Sequence, residues 1–249
     1  MQGLKIPGTS WEGFVDFALF WTEYNNMMEF TFRGGDTAVV QGSPTTGLYF
    51  ASINIGNTRM RGGEISLMGR GKIGKTKVNI MTGYTLIDPK FRDFSSLQQK
   101  LSSEPTQNIL KYRNRHVFKS DVEAFFLKNE ALSFGVSYNY VSAMQAIDGA
   151  FENLNLTGST GFGNLPVDYF GIGRYRKTVN KGQYHNLSLR VGYRYPIFKP
   201  AATPDKAAEE KMAFKFSIIG QNLLNQEYSI RPALAAAPRS IMFRFDIDF

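Results

Sequence analysis

The chain contains no cysteine, so it has neither a disulfide framework nor a thiolate metal site. Histidine is almost as scarce: His116 and His185 lie far apart, with no carboxylate at ligand spacing, and no metal is expected. No apolar run approaches the roughly 18 to 20 residues of a membrane-spanning helix. No helical periodicity persists at useful length, and only Pro204 to Lys211 (PDKAAEEK) offers a single possible helical turn. The N-terminus, MQGLKIPGTSWEG, has no apolar segment and no small-residue cleavage site, so the chain is expected either to stay in the cytoplasm or to be a piece of something longer. Ser/His/Asp arrangements and nucleophile elbows are absent too, and neither catalysis nor a cofactor is expected. GSTGFGN (Gly158 to Asn164) is glycine-rich but lacks the strand-to-helix context of a phosphate loop.

Aromatic residues are abundant instead: 21 Phe and 12 Tyr among 249 residues, at a formal net charge of +8. That charge suits an anionic ligand, a nucleic acid or an anionic membrane surface. The aromatics are spaced in twos. In LSFGVSYNYV, Leu132, Phe134, Val136, Tyr138 and Tyr140 alternate with small or polar residues, and Leu187 to Tyr195 and Met212 to Ile218 repeat the pattern. The C-terminus, SIMFRFDIDF, sets Ile241, Phe243, Phe245, Ile247 and Phe249 against Met242, Arg244, Asp246 and Asp248. A period of two places one kind of residue on each face of a strand.

The pattern predicts eight long strands near 12–32, 48–70, 76–88, 114–128, 131–145, 183–195, 211–223 and 239–249. A bend is expected at Asn25-Asn26, and a kink or bulge at Gly62-Gly63. Short connections (GRGKIGK, KNEA) alternate with long ones, apart from Pro196 to Glu210. Alternation alone fits a soluble sandwich as well as a barrel, because both bury one face. Several strands are longer than the five or six residues usual in soluble sheets. Strand length and loop asymmetry therefore favour an all-β, antiparallel, up-and-down transmembrane barrel segment. Asp246 and Asp248 are expected to be structural charges on the lumen side, paired with Arg244 or a neighbour.

The last 40 residues carry a more specific signal. Asn222-Leu223-Leu224-Asn225-Gln226-Glu227-Tyr228, then Pro238-Arg239, then an alternating strand ending in Phe249, resembles the C-terminal end of TonB-dependent outer-membrane receptors of the siderophore type. FALFWTEYNNMMEF resembles that family's up-strand, and INIGNTRMRGGEISL its down-strand at Asn54, Gly56, Gly63 and Glu64. The resemblance implies that residues 1–249 form the C-terminal part of a 22-stranded barrel, without the plug domain. It implies uptake of a ferric siderophore or similar scarce nutrient across the bacterial outer membrane. The TonB complex would act through a plug outside this chain, and Phe249 would be the signal read by the barrel-assembly machinery. The implied surroundings are outer-membrane lipid and lipopolysaccharide, with missing barrel strands as partners and no nucleic acid. A self-contained eight-stranded barrel with a structural or adhesive role is the alternative.

Ligand contacts are expected in the long connections. KYRNRH offers Lys111, Tyr112, Arg113 and Arg115, and GRYRK offers Arg174, Tyr175 and Arg176; paired cations and phenols suit anionic, aromatic siderophore complexes. The same groups equally suit a solvated loop, or lipopolysaccharide phosphates at the membrane rim.

Overall fold

The computed structural model describes residues 4–5, 10–34, 38–40, 43–45, 48–94, 108–147, 183–198, 210–231 and 234–248. The fold is all-β. Eight long strands follow one another: β1 (Glu12–Gly34), β2 (Leu48–Ile73), β3 (Thr76–Phe91), β4 (His116–Phe126), β5 (Leu132–Val141), β6 (Tyr184–Phe198), β7 (Glu210–Gln221) and β8 (Ser240–Asp248). Each pairs antiparallel with its neighbours in sequence, and Leu4–Lys5 adds a short pairing on the free side of β1. The order is a simple meander, with β1 and β8 at opposite edges and no pairing between them among the described residues.

Register turns the period-two sequence into two faces. Directly paired residues share a face, so Phe17, Ile65, Tyr84, Phe118 and Tyr140 form one row across five strands. Phe134, Val191, Ile218 and Phe243 form another across β5–β8. This face stays open: Phe17 is 67% exposed, Leu19 74% and Phe243 77%. A slip of one residue in any strand would turn its aromatic set to the other side. The opposite face carries Glu64, Lys119, Asp121, Arg190, Arg194, Lys215, Arg244 and Asp246 at the intervening positions.

Asn25-Asn26 is the bend that was expected. Register shifts there, with Asn26 at φ 53° and Gly56 at φ 83° on the partner strand. The side chain of Asn57 ties the irregularity together, accepting from the Asn26 amide at 3.1 Å and donating to Asp93 at 3.1 Å. Below it odd residues of β1 point outward; above it Met28 and Phe30 do, at 64% and 70% exposure.

Gly62-Gly63 is no bulge, contrary to expectation. Register runs unbroken through Phe20↔Gly62 and Leu19↔Gly63. The pair serves close approach instead: a Cβ on Gly62 would overlap the Leu86 carbonyl oxygen, and one on Gly63 would lie 3.1 Å from Leu19 Cδ2. Gly74, at φ 62°, makes the two-residue connection from Ile73 to Thr76. A 3₁₀ turn at Lys128–Glu130 joins β4 to β5. Both lie at one end of the sheet. The connections from β1 to β2, β3 to β4, β5 to β6 and β7 to β8 leave from the other.

Buried apolar residues concentrate at that other end. Ile55, Phe91 and Leu110 form a small core with Met27, Ile53, Met60 and Phe94 around it. Ile109, Val141, Met144, Ala146 and Ile147 are buried as well. Residues 108–116 and 141–147 interlock there: the Tyr112 amide donates to Ala146 O at 2.9 Å, and Asn114 Nδ2 to Ser142 O at 2.7 Å.

Candidate functional site: the long-connection end of the wall

KYRNRH is packed into this end. Lys111 is only 2% exposed, beside Leu110 at 1%. Tyr112 takes a left-handed turn, φ 56°, which brings its amide to Ala146. Arg113 reaches across to Glu29 at 3.4 Å and donates to the carbonyls of Lys111 and Tyr112 at 3.3 and 3.4 Å. Arg115 approaches Asp88 at 3.7 Å, while its carbonyl accepts from the Ile87 amide at 2.9 Å. Thus Lys111, Tyr112 and Arg113 lie together with Glu29, and Arg115 joins a second cluster. Arg174, Tyr175, Arg176 and Phe249 lie outside the described residues, as do the glycine-rich stretch and most of PDKAAEEK.

The second cluster surrounds Asp88 on β3. Arg61 donates from Nε to Asp88 Oδ2 at 3.0 Å, and its Nη2 is also 3.0 Å from that oxygen. Lys90 lies 3.4 Å from Oδ1. Trp21 on β1 carries two guanidinium groups near its ring, Arg59 at 5.1 Å and Arg61 at 5.8 Å. Its indole N–H donates to Glu23 at 3.1 Å, and Glu23 also holds Arg92 at 2.9 Å. Sequence reading missed this cluster because its members come from three strands. One signal was available: Arg59 and Arg61 keep the parity of Ile65 and Leu67, so they continue the apolar face rather than the polar one.

Several charges on the wall's inner face are paired. Arg190 makes a bidentate bond to Asp121, at 2.8 and 2.9 Å, and donates to Ser137 Oγ at 2.9 Å, while Ser137 donates to the same carboxylate. Arg244 lies 2.8 Å from Asp246, and Arg194 3.7 Å from Asp248, the structural pairing expected for these aspartates. The two histidines each meet a tyrosine hydroxyl at 2.7 Å, His116 with Tyr84 and His185 with Tyr138.

The Asn222–Tyr228 motif has a structural task. Asn222, 2% exposed and at φ 49°, donates to Gln226 O and Ala237 O at 2.9 and 3.2 Å and accepts from the Gln226 amide at 3.1 Å. Tyr228 stacks on Tyr184 with ring centroids 4.1 Å apart, and its hydroxyl accepts from Asn186 at 3.0 Å. The motif thus pins the start of the last long connection to β6.

No family model matches the chain, and no curated protein matches it. Among solved structures it is similar to the outer membrane transporter YddB from Escherichia coli, with 11% identity and a TM-score of 0.46. That alignment covers 98% of this chain and 31% of the transporter, so the chain spans about a third of that protein's length.

Proposed function

We propose that the chain is part of the wall of a bacterial outer-membrane transporter of the TonB-dependent kind, taking up a ferric siderophore or similar scarce nutrient, with no catalysis of its own. The observation that carries this is the broad, exposed apolar face shared by the eight long strands. Outside the ionic rows at the long-connection end, outward residues on the eight long strands are mostly apolar or aromatic, while the face behind them carries charges, several of them paired. In water such a sheet would leave a large apolar surface exposed. In a bilayer that surface meets acyl chains, and the ionic face lines a wet interior. Unpaired edges are costly in lipid, because each unsatisfied backbone group loses several kcal/mol. Among the described residues β8 has no partner on its outer edge and β1 only the short Leu4–Lys5 pairing, which favours completion by further strands over a self-contained eight-stranded barrel. A plug supplied from outside these residues would connect transport to the TonB complex.

Two measurements test the proposal. The protein should fractionate with outer membranes and migrate faster unheated than heated on electrophoresis; recovery in the soluble fraction would refute the membrane wall. Deleting the gene should abolish energy-dependent accumulation of labelled iron from at least one ferric siderophore. Unchanged uptake across catecholate, hydroxamate and carboxylate complexes would refute that substrate class and leave the wall intact.

A further inference from the structure

The outward face changes character abruptly along β1–β3. Pairing sets its residues in successive rows of three: Phe17–Ile65–Tyr84, then Leu19–Gly63–Leu86, then Trp21–Arg61–Asp88, then Glu23–Arg59–Lys90. Rows on one face repeat about every 6.6 Å. The surface therefore passes from fully apolar to fully ionic within two rows, and Trp21 marks the junction. Amphipathic aromatics collect at just such boundaries between acyl chains and headgroups.

Charge in the ionic rows does not balance. The two carboxylates are already engaged: Asp88 by Arg61, Lys90 and Arg115, and Glu23 by Arg92. Arg59 has no carboxylate partner among the described residues; it lies against Trp21, and its Nε makes no hydrogen bond. Five cations share two carboxylates here. An anion placed against Arg59 would complete the cluster.

Directly below, the apolar rows are hollowed out. Gly63 stands between Leu19 and Leu86 without a side chain, and with Phe17, Ile65 and Tyr84 these residues line a trough of about 770 Å³ that reaches Trp21, Arg61, Asp88 and Arg115. An anion site continuous with an apolar trough matches one kind of molecule, a phosphate headgroup carrying an acyl chain. We propose that the outward side of β1–β3 binds a phosphorylated lipid, its phosphate held by Arg59, Arg61 and Lys90 and one acyl chain lying in the trough over Gly63. The site rests on the membrane-wall reading and adds a specific lipid contact to it.

The test uses the full chain extracted from outer membranes in mild detergent. Three probes are titrated: a diphosphorylated acylated disaccharide lipid, the same lipid after phosphatase treatment, and inorganic phosphate. The phosphorylated lipid should bind at least about tenfold more tightly than the dephosphorylated one, and millimolar inorganic phosphate should not displace it. Each cation near a membrane surface is worth roughly fivefold in binding to an anionic lipid. The double variant R59Q/K90Q should therefore lose binding by more than about tenfold, while K215Q on the inner face should bind as the parent does. Gly63→Leu fills the trough and should weaken the long-chain lipid without affecting a short-chain phosphate analogue. Heat-dependent migration shows that each variant is folded. Unchanged binding by R59Q/K90Q overturns the proposal, and so does equal competition by inorganic phosphate. Failure to fractionate with membranes would instead overturn the wall itself, so the two failures are distinguishable.

Discussion

The wall and the packed end of this molecule solve the same problem with different solvents. At the long-connection end, Ile55, Phe91 and Leu110 are 1 to 3% exposed and bury one another as they would in any globular core. Along the wall, Phe17, Ile65 and Phe243 have apolar neighbours beside them and, among the described residues, none above, with exposures from 47 to 77%. One sheet cannot shield its own outer face, so burial there must be supplied from outside the chain. Composition does not separate the two regions, since both are rich in Ile, Leu and Phe. What differs is whether a second layer of chain covers the strand, as residues 108–116 cover the end of β3.

The comparison can be broken by substitution. Leu110→Ala should give the largest effect, about 2–5 kcal/mol, because a protein-lined core leaves a cavity behind. Ile65→Ala should cost less, since lipid closes over the gap and only the transfer part is lost. Urea titration in vesicles reads both, and equal losses would mean that the wall is not lipid-covered. Ile65→Arg should cost about 2–4 kcal/mol in the same assay, against under about 1 kcal/mol for Ser66→Arg, one residue away on the opposite face. A reversed order would exchange the faces. The ion pairs sharpen the picture at lower amplitude. Arg190→Gln removes the one cation bonded to Asp121 among the described residues and should cost about 1.5–3 kcal/mol. Arg61→Gln should cost under about 1 kcal/mol, because Lys90 and Arg115 remain near Asp88. Double-mutant cycles would show whether coupling at Asp121 exceeds coupling at Asp88.

Strand positions were legible because a two-residue period survives any tertiary context that keeps one face apolar. The eight expected strands match β1–β8 to within a few residues, and the bend at Asn25-Asn26 was visible in a pair of residues that tolerate left-handed backbone. Gly62-Gly63 was misread because a strand glycine signals either a bulge or a close approach, and only Phe20 and Leu86, distant in sequence, decide between them. Register was not legible at all, and everything that depends on it stayed hidden. The rows joining Trp21, Arg61 and Asp88 draw on positions 40 and 27 residues apart. KYRNRH was read as loop chemistry, yet it follows Ile109-Leu110, and that apolar pair is what carries Lys111 into the packed end.

The paired irregularity at Asn26 and Gly56 inverts which parity looks outward without altering the pairing sum on either side: Tyr24 meets Thr58 below it and Met28 meets Asn54 above it. It works like an expansion joint in masonry. Segments above it can lengthen, shorten or change composition while the courses below stay aligned. A protein built this way can vary its outermost parts from one lineage to another and still present the same footing to whatever assembles it.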